Sequence, residues 1–115
     1  MATLQNLSYY KIVSAGVETY DLNPFDINGN LFREITINVD TTGGAVTINL
    51  PEIVDLPNYG VLIKVVRTGG GNNVVVTAGG SDKIGSASTV TLNATNKSVE
   101  VSPIAAINWY GVITA

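Results

Sequence analysis

Two pairs of carboxylates are the side chains in this sequence with the most chemical potential. Glu52 and Asp55 share one loop, and Asp21 and Asp26 share another. Carboxylates facing across a cleft, roughly 5–10 Å apart, can divide acid and base roles in glycoside hydrolysis. A shared loop does not create such a cleft, and solvated loop charge is the plainer reading. Asp21, Asn23, Asp26, Asn28 and Asn30 form an oxygen-rich run of the kind calcium needs to collect about six ligands, but Pro24 and Phe25 interrupt it. Serine and threonine are plentiful, yet there is no histidine to activate them and no cysteine for thiol or disulfide chemistry. The clusters TTGG and GGGNN lack the Gly-Lys-Ser/Thr ending that sets a lysine on phosphates, so they read as turns. Lys64 sits inside an apolar run and Lys11 follows an aromatic pair; a catalytic role for either would need a desolvated pocket. Trp109-Tyr110 could stack a sugar, but such a pair more often closes a β-core, with Trp109 buried and Tyr110 at the rim. The sequence therefore assigns no catalytic, cofactor-binding or metal-binding residue, and the expectation is a protein that is not an enzyme.

Composition narrows the partners. Charged residues are 13% of the 115, about half the usual share, while apolar residues at 45% are ordinary. A surface so poor in charge is either covered by partners or built from Thr, Asn and Gly. The net charge of −3 argues against a nucleic-acid partner. Residues 1–59 hold seven carboxylates and two basic groups, and residues 60–115 hold two carboxylates and four basic groups. That asymmetry would suit contact between subunits. No apolar run approaches the roughly 20 residues of a membrane span, and MATLQNLSYYK lacks the form of a signal peptide. The expectation is synthesis in a cytoplasm and no membrane partner. On that basis the glycosylation patterns at Asn6, Asn93 and Asn96 are chance matches.

Short strands must position all of these residues. Residues 1–31 hold four of the seven Tyr and Phe residues, and their alternation is poor. Residues 9–13 and 17–22 could each be a strand broken at Gly16. The segment reads either as an arm that packs on something else or as an ordinary first hairpin. Asn28-Gly29 is a two-residue hairpin signal joining residues 25–27 to a strand from about Leu31. Ile35, Ile37 and Val39 alternate with polar residues, as do Val46, Ile48 and Leu50. With TTGG between them, this predicts a hairpin with one apolar face.

Residues 52–60 are a connection with room for a single helical turn. Residues 61–67 are almost continuously apolar, which predicts a strand buried on both faces. GGGNN returns Val74, Val75 and Val76 beside it. Ile84 is a lone anchor in a Gly/Ser loop. Val90 and Leu92, then Val99 and Val101, mark two further strands, with Pro103 closing the second and residues 108–113 forming the last. The whole predicts an all-β domain, an antiparallel β-sandwich or barrel of roughly eight short strands, over residues 32–115.

In order, VTINLP, GVLIKVV, NNVVVTAGGSDKIG, TVTL, SVEV and NWYGVI span about two-thirds of the chain. This succession resembles a β-domain that recurs in bacteriophage head-fibre, decoration and tail-fibre proteins. SPIAAINWY departs from the usual Gly/Asp-rich turn and makes the last hairpin longer and more apolar. The resemblance implies a virion structural protein on the capsid surface, made in the host cytoplasm, without enzymatic activity or cofactor. It implies a homo-oligomer, with a trimer favoured, bound to the major capsid protein or another virion protein. The sequence shows no stalk, heptad run or second copy, which fits a capsid decoration (cement) or head-fibre protein better than a long fibre. The alternative is a receptor- or glycan-binding knob, with a host-surface glycan as partner. On the decoration reading Tyr9, Tyr10, Tyr20 and Phe25 contact the capsid. Leu62, Val66, Ile104 and Ile107 mediate self-association, and Tyr110 is an exposed contact.

Overall fold

The structure is a computed structural model and describes residues 8–13, 19–57 and 59–114. Gly16, the start of the strand expected at 17, and the Asn6 pattern lie outside them. Ten strands are described: β1 (Ser8–Val13), β2 (Thr19–Asp21), β3 (Glu34–Asp40), β4 (Val46–Asn49), β5 (Leu62–Gly69), β6 (Val74–Thr77), β7 (Lys83–Ile84), β8 (Thr89–Leu92), β9 (Ser98–Ala105) and β10 (Asn108–Thr114). They form a six-stranded sheet, β1-β3-β5-β9-β10-β7, and a four-stranded sheet, β2-β4-β6-β8. The protein is all-β with two sheets.

The antiparallel sandwich expected from the sequence is not what forms. From β1 to β9 the chain changes sheet at every step, so β1, β3 and β5 lie parallel in one sheet and β2, β4 and β6 lie parallel in the other. These six strands wind as a two-sheet coil of three rungs, a short β-solenoid. The expected β3–β4 hairpin is absent, because the TTGG corner carries the chain across the core rather than back alongside itself. The GGGNN corner does the same, so β6 does not return beside β5. A period of two fixes which face of a strand is buried and leaves its neighbour open. β1 and β2 are not a hairpin either; they are the two strands of the first rung.

Stacked branched residues fill the coil. Ile35 lies beside Ile63, which lies beside Val101, and Ile37 beside Val65, which lies beside Val99. In the facing sheet Val46 lies beside Val74, which lies beside Leu92. All of these are buried, each contributing about 1.5–3 kcal/mol on leaving water. β5 is buried on one face only. Val61 before it and Ile63 and Val65 within it point inward, whereas Leu62, Lys64 and Val66 point outward and are half-buried.

The two ends of the coil differ. At one end the strand direction reverses: β8 runs antiparallel to β6, and β9 antiparallel to β5. Trp109, fully buried, and Ile84 complete this cap, the latter as the lone anchor expected. Pro103 does not close β9 but lies within it, opposite Trp109 and next to a register shift at Asn108/Trp109. A bulge is one of the few places a sheet admits proline. At the other end Tyr9 stacks on Phe32, ring centroids 5.0 Å apart, and Tyr20 and Phe25 pack on the same core. Lys11 sets its Nζ 6.0 Å from the centre of the Tyr20 ring. Asn28-Gly29 does form a tight turn, with Gly29 at φ +80° and its amide donating to the Asp26 carbonyl. It closes only a single Phe25–Leu31 bridge, not a pair of strands. The expected helical turn is a 3-10 turn at Ile53–Asp55.

Candidate interaction surface

Strand register lays out the outer face of the six-stranded sheet in rows. One row runs Tyr10, Thr36, Lys64, Glu100, Val112, and the next Ile12, Asn38, Val66, Ser98, Thr114. The middle is polar and internally bonded. Lys64 Nζ lies 3.9 Å from Glu100 Oε1, a half-exposed pair worth little to stability. The Asn38 side-chain amide donates to the Tyr10 hydroxyl at 2.6 Å, and the Ser98 and Thr114 hydroxyls share a short hydrogen bond. The apolar residues sit at the two margins: Tyr10 and Ile12 on β1, and Tyr110 and Val112 on β10, with Ile104 and Ile107 exposed around the β9–β10 turn.

The residues expected to touch a capsid divide. Tyr10 is 59% exposed and points outward. Tyr9, Tyr20 and Phe25 are half-buried and close the end of the core. Burial raises the Tyr20 phenol, and a hydrogen bond to Tyr9 with its charge adds to this, taking it to about 12. Of the expected self-association residues, Ile104 and Ile107 stand free, while Leu62 and Val66 flank Lys64 in mid-sheet and are half-covered by their neighbours. Tyr110 is exposed, beside the buried Trp109.

Ile12, Val112 and Ile113, which the sequence does not single out as contacts, are exposed as well. The signal for the last two was there: residues 101–114 carry no charged side chain. On the side away from β9, β7 pairs only with Asn108 and Trp109, and beyond them no strand among the described residues covers β10. The two margins are therefore unlike. β1 carries Lys11 at its inward-facing register, a device that blunts an open edge, and β10 carries no charge at all.

The oxygens considered for chemistry have local work. Asn23 Oδ1 accepts the Phe25 amide, Asp26 Oδ1 accepts the amides of Asn28 and Asn30, and Asp21 Oδ1 accepts the Asn49 side chain. These bonds build turns and tie rungs together. Asp82, nearly buried, accepts the Ile53 amide at 2.8 Å. Among the described residues no three His, Cys, Asp or Glu side chains cluster as metal ligands would. Arg67 is buried at a corner of the coil, its guanidinium donating to the Gly70 carbonyl at 2.6 Å, and its Nε has no partner. The arrangement offers contact area, backbone edges and exposed tyrosines at Tyr10, Tyr59 and Tyr110. No protein-family model matches the chain, and no curated protein matches it.

Proposed function

We propose that this chain is a virion structural protein, a capsid decoration or head-fibre protein that binds the particle surface and self-associates. The observation that carries the reading is the distribution of exposed apolar side chains. Apart from Ile27, Val54 and Tyr59, they gather at the two margins of one sheet, and the β10 margin is free of charge. The resemblance of the ordered strand motifs to phage head-fibre and decoration domains supports the same reading. Capsid contact falls to Tyr10 and Ile12, the outward residues of the first rung. Self-association falls to the β9–β10 side. A contact of on the order of 1,000 Å² is enough for specific binding, and many copies on one particle multiply its effect. Tyr110, 60% exposed, keeps a glycan-binding knob as the second reading, since a free aromatic face can stack a sugar ring.

Immunogold electron microscopy with an antibody to this chain tests the proposal. Label spread over particle heads is the expected result. Label confined to a tail tip would transfer the reading to the knob, and particles without label would overturn both. Tyr10→Ala with Ile12→Ser should then release the protein from heads while leaving its fold intact.

A further inference from the structure

We infer that the free edge of β10 pairs with β10 of a second copy of this chain, antiparallel and about a twofold axis at Val112. The backbone comes first. The Trp109 carbonyl accepts the Gly85 amide at 2.9 Å, so the Trp109 peptide groups point away from β9 toward the sheet edge. Peptide directions alternate along a strand. Gly111 and Ile113 therefore aim their N–H and C=O groups at the same edge, past the point where β7 ends.

A second β10 supplies the matching groups. With Val112 opposite Val112, Gly111 of each copy faces Ile113 of the other, and each such pair exchanges two hydrogen bonds. The occupant is a second copy because of charge and area. The chain is net negative, and residues 101–114 carry no charge, so two copies meet there without opposing like charges. A twofold contact sets a patch against itself, which a charge-free patch tolerates. Tyr110, Val112 and Ile113 on the strand, with Ile104 and Ile107 at the turn, are all at least 42% exposed. Tyr110 and Val112 on the outer face, with Ile104 and Ile107 at the turn, present an apolar patch on the order of 400 Å², within the range of the largest patches on monomers, while Ile113 lies at the opposite register beside Val99. The β1 margin does not offer the same contact, because two copies would bring Lys11 toward Lys11. The inference does not depend on the virion reading.

The full chain in solution tests it. Sedimentation equilibrium should give twice the chain mass of 12.0 kDa. Ile113→Lys should weaken the dimer about tenfold or more, through lost apolar burial and a charge on the edge. Ile113 is half-exposed, so this variant should keep the wild-type circular dichroism spectrum. The chain has no cysteine, so Val112→Cys introduces a single thiol. Facing residues of a non-hydrogen-bonded pair have Cα atoms about 4.5 Å apart, within reach of a disulfide. Air oxidation with a copper catalyst should therefore cross-link Val112→Cys and leave Val54→Cys, 79% exposed at the 3-10 turn, as monomer. A monomeric wild type would overturn the inference, as would any oligomer that Ile113→Lys leaves intact or Val112→Cys fails to bridge. A monomer that still labels particle heads would sink the pairing alone, and a bridged dimer that labels no particle would sink the virion reading alone.

Discussion

Thr41 and Asn72 hold two successive corners of the coil together. The Thr41 hydroxyl lies 2.7 Å from the Asn72 carbonyl and accepts the Asn72 amide at 3.2 Å, while the Asn72 side chain donates to the Thr41 carbonyl at 2.8 Å. Thr41 is fully buried, so these groups have no water to fall back on. Thr41→Val keeps the shape and removes the hydroxyl. It should cost about 1–3 kcal/mol in a denaturant titration, with an unchanged slope.

Gly70 crosses directly over that clasp. It sits at φ +84°, and a Cβ there would lie 2.3 Å from backbone atoms of Thr41 and Thr42. Backbone at that distance can yield only if the two corners separate. Gly70→Ala should destabilise by at least about 3 kcal/mol, combining the left-handed conformation with overpacking. A Cβ at Gly71 meets nothing within 4 Å, so Gly71→Ala is the matched control and should be near neutral.

Tyr20 makes the first rung sensitive to alkali. Its phenol titrates at about 12 in the folded protein, raised from the ordinary 10.0, because burial and then Tyr9 disfavour the phenolate. The pKa is raised on folding, so the stability it contributes is fully present below about pH 10. That contribution is lost as the pH rises from there through 12. Near-ultraviolet titration should show a phenol with a midpoint near 12 that Tyr20→Phe removes. Between those two pH values the variant should lose less stability than the wild type.

Arg67 is a buried cation with no carboxylate within ion-pair distance among the described residues. It donates to Gly70, and its Nε is unpartnered. A buried charge so poorly compensated is expensive to hold. Arg67→Met fills similar volume without the charge and should match or exceed wild-type stability in thermal unfolding. Arg67→Ala leaves a cavity and should fall below both.

Which side chains would be buried was legible in the sequence, and which strands would be neighbours was not. Ile35, Ile37, Val39, Val99, Val101 and Trp109 are all inside, as their alternation and chemistry require. The parallel winding escaped because tight glycine turns are the ordinary mark of hairpins, and nothing local separates a turn that reverses the chain from one that steps across a core. A longer-range signal did exist. Asp21 bonds Asn49 and Tyr10 bonds Asn38, each pair 28 positions apart. The offset recurs where Glu34 pairs with Leu62 and Val46 with Val74. Read at that spacing, TYDL and TINL fall into line, a weak repeat of the kind that marks a solenoid. The poor alternation of residues 1–31 reads equally as an arm or as a first hairpin, and it is poor because Tyr9, Tyr20 and Phe25 seal an end of the core instead of lining its middle. The charge-free tail of the sequence is visible as composition, but only the short reach of β7 shows that no strand among the described residues covers the β10 edge beyond Trp109.

The unlike ends of the coil have a mechanical consequence. A force drawing β1 away from its sheet loads the β1–β3 ladder one bond at a time, so the first rung should tear off as a zip at low tension. Each rung that follows would release about 28 residues, on the order of 90 Å of slack. At the other end β9 is held between β5 and β10, so the same pull meets a two-sided seam. A molecule gripped by its first rung would thus lengthen in steps under load while its cap stayed whole, acting as a shock absorber between whatever it holds at each end.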